Sequence, residues 1–180
     1  MSWNSDSFIN TVNTWFSSLS DKSETQTAQT IAQAYTLSAI SAKTSFASIP
    51  ISLKPPLVIQ QGFVQSFNLA KELSESEPDV NIWLPAAASI ITFWTSTSFN
   101  IVPPPPGGLI GANNSVTSPG VPLTIALDLK TAFSQEDSIS TATKLNQAFL
   151  NHLSTINGIW IGTAPGAPPI PFSFPWVGLS

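Results

Sequence analysis

Cysteine and arginine are absent from the 180 residues, and histidine occurs once, at His152. Without cysteine there are no disulfides, no zinc knuckle and no iron–sulfur site. Without arginine there is no planar fork to grip phosphates, carboxylates or guanine edges in two places at once. The only cationic side chains are Lys22, Lys43, Lys54, Lys71, Lys130 and Lys144, scattered along a chain of net charge −4. They cannot build the basic surface on which nucleic-acid binding rests, so no nucleic-acid partner is expected. A single histidine excludes a multi-histidine metal site. Charged residues make up only 9% of the chain, against roughly a quarter in ordinary soluble domains. No charge occurs between Val80 and Leu127, nor from Ile159 to Ser180.

What the chain does have is a 42% hydrophobic content, sixteen prolines and six tryptophans. That is enough apolar material for one core in one compact domain. The surface is polar chiefly through Ser, Thr, Asn and Gln. The N-terminus, Met1-Ser2-Trp3-Asn4-Ser5-Asp6, lacks the basic region of a secretory signal, and none is expected.

Apolar spacing predicts a first helix over 7–19, with Phe8, Ile9, Val12, Trp15, Phe16 and Leu19 on one stripe and Ser5 or Asp6 as cap. Ser23-Glu24-Thr25-Gln26 is a capping box for a second helix reaching to about Phe46. Ala28, Ala32, Tyr35, Ala39, Ala42 and Phe46 form its seam, small enough for a neighbouring helix to approach closely. A third helix is expected over 57–76, with Gly62 weakening its first half, and a fourth over 81–98. The fourth is apolar over most of its circumference, which predicts a position at the centre of a bundle. Pro122 opens a short helix, and Asp137-Ser138 caps a last one whose seam is Ala142, Leu145, Phe149, His152 and Ile156. Asn157-Gly158 reads as its left-handed stop.

Two stretches do not read as helix. From Asn100 to Val121, Pro103-Pro104-Pro105-Pro106 predicts polyproline II and Gly107-Gly108 a reversal; Asn113-Asn114-Ser115 and Ser118-Pro119-Gly120 read as turns. Leu109, Ile110 and Val116 suggest an arm that packs on something. From Ile159 onward, Trp160, Phe172, Phe174 and Trp176 alternate with prolines, too apolar for a solvated tail. The expectation is therefore a mainly α fold: a bundle of about four or five helices over 1–158 with an irregular arm at 100–121, then an extended Pro/aromatic tail at 159–180.

Chemistry is sparse. His152 is the sole candidate general base, but no acid stands three or four residues away to orient it. The better reading is a partly buried histidine bonded to backbone or water, at a position that tolerates a polar isostere with little change in stability or pH dependence. No serine lies in a Gly-x-Ser-x-Gly elbow. Glu72, Glu75, Glu77 and Asp79 read as a solvated helix end, not a cation loop. Gly107-Gly108 and Gly111 lack the Lys-Ser/Thr of a phosphate loop. No catalytic, cofactor-binding or metal residue is assigned, and no enzymatic activity or cofactor is expected. Ile82 to Val102 is apolar enough to suggest a membrane span, but Pro85, Thr92, Thr95, Asn100 and the acidic flank Glu77 and Asp79 favour a buried helix.

Read together, Pro85-Ala86-Ala87-Ala88-Ser89-Ile90-Ile91-Thr92-Phe93-Trp94-Thr95 running into Pro103 to Gly108, Ser118-Pro119-Gly120, and His152 to Gly162 with its proline tail resemble small structural proteins of tailed bacteriophages. The resemblance is one of style and order over roughly the second half and carries over no functional residue. It implies a virion component of head, neck or tail/baseplate, partnered by copies of itself and by other virion proteins. The composition independently suits a subunit that spends its life packed in an assembly. The expected interface comprises Pro103, Pro104, Pro105, Pro106, Leu109, Ile110, Trp160, Phe172, Phe174 and Trp176. The competing readings are a surface or adhesion module that binds a glycan or host ligand through the aromatic tail, and a membrane-active protein inserting Ile82 to Val102.

Overall fold

The computed structural model describes residues 3–18, 20–42, 49–52, 56–73, 79–95, 98–100, 110–164, 168 and 170–179. Among these lie six α-helices: α1 (Ser5–Ser17), α2 (Glu24–Ala39), α3 (Leu57–Glu72), α4 (Leu84–Thr95), α5 (Pro122–Phe133) and α6 (Ser138–Thr155). The fold is mainly α, as the apolar stripes predict. Five strands accompany the helices: β1 (Ile49–Ser52), β2 (Ser98–Asn100), β3 (Ile110–Ser118), β4 (Asn157–Ala164) and β5 (Ile170–Val177). β1 and β2 form an antiparallel pair, and β3, β4 and β5 form an antiparallel sheet in that order.

Each helix packs on its neighbour in the chain, and α6 returns to α1, so the six close into a ring. Aromatic side chains fill its middle. Tyr35 of α2 meets Phe93 of α4 and Phe149 of α6 edge to face, with ring centroids 5.6 and 4.7 Å apart. Trp94 donates its Nε1–H to the Tyr35 hydroxyl at 2.6 Å, so the one polar atom of a fully buried indole is satisfied. Burial pushes the Tyr35 phenol far above its ordinary range, against the smaller opposing effect of the Trp94 hydrogen bond. Trp3 closes the cluster on Phe8 and Tyr35 and donates to Asn146 Oδ1 at 2.8 Å. A second cluster stacks Trp83 on Phe133 at 4.3 Å, with Phe67 edge-on to both.

Of the expected seams, Ala28, Ala32, Tyr35, Ala39 and Ala42 on the α2 side and Ala142, Leu145, Phe149, His152 and Ile156 on the α6 side are buried, and Phe46 lies outside the described residues. The capping box forms, with Ser23 Oγ accepting from Gln26 N and Gln26 Oε1 accepting from Ser23 N, both at 3.2 Å. Asp137 Oδ1 accepts from Ser140 N at 2.8 Å at the head of α6.

Other expectations need correction. α1 is capped by Asn4, whose Oδ1 accepts from Ser7 N at 3.1 Å, and not by Ser5 or Asp6, which are its first two residues. α4 is a member of the ring and not its hub: Phe93, Trp94 and Ile90 point inward, but Ala88, Thr92 and Thr95 are exposed. Gly158 has no positive φ and does not stop α6, which ends on extended Ile156 and runs straight into β4. Glycine is needed there because the Trp176 indole lies on its Cα and a Cβ would overlap the ring. The arm is not irregular throughout, because 110–118 is strand β3. The tail is not a separate extended segment: β4 and β5 pair over their whole lengths, from Asn157↔Val177 to Ala164↔Ile170.

Candidate functional site

Two places have the geometry to carry function. The first surrounds His152. The turn from β3 into α5, Pro119-Gly120-Val121, crosses α6 and leaves a cleft of about 280 Å³ lined by Ser118, Thr124, Ile125, Asp128, Asn151, His152 and Thr155. His152 is buried, and its Nε2 lies 2.7 Å from the Pro119 carbonyl oxygen. A carbonyl only accepts, so Nε2 carries the proton. Nδ1 is then a bare lone pair, buried with no hydrogen-bond partner among the described residues. Burial holds the imidazole below its ordinary pKa, against the smaller upward effect of the Pro119 bond. Gly120, at φ 97, bends the chain over the ring edge, where a Cβ would sit 2.8 Å from Cδ2.

Beside it, Asp128 Oδ2 accepts from Asn151 Nδ2 at 3.1 Å, and Asn151 Oδ1 accepts from Gln147 at 2.8 Å. The expected partly buried histidine bonded to backbone is what is found. The imidazole presents a hydrogen bond to the turn and a buried lone pair to the protein, and so clamps the strand-to-helix turn onto α6.

The second place is the sheet. It joins the helical ring at one end. Trp176 and Leu179 lie in the chain's own core, while Gly178 N and Leu179 N donate to the carbonyls of Ile156 and Leu153, each at 2.8 Å. Away from that end apolar residues meet solvent. Ile161 and Ile170 are 49 and 60% exposed there, and Val177, at the rooted end opposite Asn157, is 69% exposed. Ile170 shares Trp176's phase in the two-residue alternation of the strand yet is open, so the far end of the sheet reaches past the helices that cover its base.

Of the expected interface residues, Pro103, Pro104, Pro105, Pro106 and Leu109 lie outside the described residues. Ile110 opens β3 opposite Thr163, Trp160 pairs with Phe174, and Phe172 pairs with Gly162. One sheet therefore gathers what the sequence splits between an arm and a tail. Trp176 is the exception: at 2% exposure it is buried in its own chain and is no contact residue for a neighbour. Asn114, read from sequence as part of a turn, and Val116, read as an apolar residue of the arm, both lie on strand β3, whose Asn/Ser/Thr-rich surroundings carry no apolar alternation.

Asp79 turns out to cap a 3₁₀ turn, Oδ1 accepting from Asn81 N at 3.1 Å. No group of three His, Asp or Glu residues able to hold a metal occurs among the described residues. Among them no helix is long and apolar enough to cross a membrane; within the stretch from Ile82 to Val102, α4 runs only from Leu84 to Thr95. Comparison with protein-family models, curated proteins and solved structures gives no match.

Proposed function

We propose that the chain is a non-enzymatic structural subunit of a virus particle, a head, neck or tail/baseplate component that assembles with copies of itself and with other virion proteins. The observation that carries this reading is the sheet: uncharged throughout, rooted in the helical ring at one end and exposing Ile161 and Ile170 beyond it. An apolar, uncharged extension is costly to leave in water and is stabilised by a neighbouring subunit. The bacteriophage resemblance of the second half supports the same reading. A glycan platform on the tail has less to stand on, since Trp176 is in the core.

The test is isolation of the chain from its native source through an affinity tag, followed by imaging of what comes with it. The reading expects a virus particle or a piece of one, with residues 110–118 and 157–177 against neighbouring subunits. Recovery as a free monomer, or inside a membrane, contradicts it. Binding to a glycan array that is lost on substitution of the tail aromatics transfers the case to the adhesion reading.

A further inference from the structure

We infer that the free edge of β3 is a self-association site, pairing antiparallel with β3 of a second copy across a two-fold axis. The inference deepens the assembly reading and rests on it for the role of the sheet; it adds the edge and the partner.

Proline closes one edge of the sheet. Pro171 and Pro175 stand on β5 opposite Thr163 and Ile159 of β4. Proline has no N–H, so these are the non-hydrogen-bonded pairs of the ladder, and the bonded ones fall at Ile170, Phe172, Phe174 and Trp176. In an antiparallel strand alternate residues turn both their N–H and their C=O to opposite sides. The outer edge of β5 therefore falls at Pro171, Ser173, Pro175 and Val177, where two of four donors are missing. That edge is blunted against strand addition.

The same alternation carries through β4 to β3. Ile159 and Ile161, not bonded to β5, turn toward Ser115 and Asn113. Asn114 and Val116, opposite Trp160 and Gly158, then turn their N–H and C=O away from β4. Among the described residues β4 is the only strand hydrogen-bonded to β3, β2 and α4 lie against part of it, and β3 contains no proline. Ser115, Thr117 and Ser118 are exposed, so this end of the strand reaches solvent.

One edge closed and one edge open allows the sheet to grow once. Two copies meeting at β3 make a closed six-stranded sheet, and the blunted β5 edges on either side stop further growth. A second copy suits this edge because nothing on it repels itself: no Asp, Glu, Lys or Arg occurs between Val80 and Leu127. A partner chosen by charge would have nothing to read there.

Two measurements on the full chain test this. In the first, solution mass is followed across concentration for the wild type, Asn114→Pro and Ser173→Pro. The expected result is a dimer that Asn114→Pro weakens by about tenfold or more, through outward hydrogen bonds lost in both copies, and that Ser173→Pro leaves alone. In the second, Ser115→Cys or Thr117→Cys is introduced into this cysteine-free chain and treated with a short thiol cross-linker. Pairing across a two-fold axis brings each residue near its own copy, so covalent dimers form; Ser154→Cys on α6 serves as the control and gives none. The second measurement decides should Asn114→Pro fail to fold. A wild type that stays monomeric, open-ended oligomers, or a dimer without the β3 cross-links overturns the inference. Absence of the dimer in a chain that still joins a particle through other contacts defeats the edge and spares the assembly reading.

Discussion

His152 shows how one residue acquires a role from burial alone. The unfolded imidazole titrates near 6.5, while the folded one is held lower because burial disfavours its charged form. Between those two values the unfolded chain binds a proton that the folded chain refuses. Stability is therefore complete above the unfolded value and falls as pH drops through it, levelling off below the folded value. Asp128 on α5 is the other titratable group facing the cleft, and its carboxylate is engaged with Asn151. Glu24, Asp79 and Asp137 are all lowered by hydrogen bonds, so their losses come in the acid range and do not overlap. We expect the thermal midpoint to drop between pH 7.5 and 5.5, and His152→Gln to flatten that drop; equal slopes in both proteins would remove His152 as its source. The sequence expectation is little pH dependence, because a seam position alone does not show how completely the ring is buried. At the ring centre, Tyr35→Phe removes the acceptor of the Trp94 N–H and should cost about 1–3 kcal/mol in denaturant unfolding. Trp94→Ala should cost about 3–5 kcal/mol. A loss within error for both would mean that the aromatic cluster does not hold the ring together.

At the scale of elements, one glycine inverts the usual rule. Gly62 sits inside α3, where replacement by alanine would ordinarily stabilise a helix by about 0.5–1 kcal/mol. Here an added Cβ would overlap Ser89 and meet the Pro85 carbonyl oxygen 2.7 Å away, because α3 and α4 approach closely at this point. The same contact zone satisfies a first-turn amide of α4: Ser66 Oγ accepts from Ala86 N at 3.2 Å. Gly62→Ala should therefore destabilise by about 1–3 kcal/mol, measured by equilibrium unfolding; a stabilised variant would show that the two helices can separate freely. Gly62 read from sequence is a weak point in a helix, since the reason for it lies on another element. The helices themselves were legible because three-to-four spacing and caps are local signals. β3 was not, because Asn113, Asn114 and Ser115 read as a turn when alone and become a strand only when β4 supplies its hydrogen bonds.

For the whole molecule, the six helices form a closed body and the three-stranded sheet an attachment rooted at Trp176 and Leu179. Of the tail's aromatics, expected to pack on something, Trp176 packs in its own chain, a matter of long-range geometry that no local signal shows. Removing the chain from Thr163 onward therefore takes away Trp176 and Leu179 as well as the outer strand, and is expected to weaken folding along with assembly. The claim at the centre of this account is that the sheet, and not the outer faces of the helices, carries the contacts between subunits. Hydrogen–deuterium exchange on the full chain, compared between dilute and concentrated solution, reads this directly. Protection gained on concentration is expected in the sheet, centred on 110–118, and not on the helices. Protection that appears instead on the outward faces of α2, α5 or α6, or none at any concentration, would contradict it.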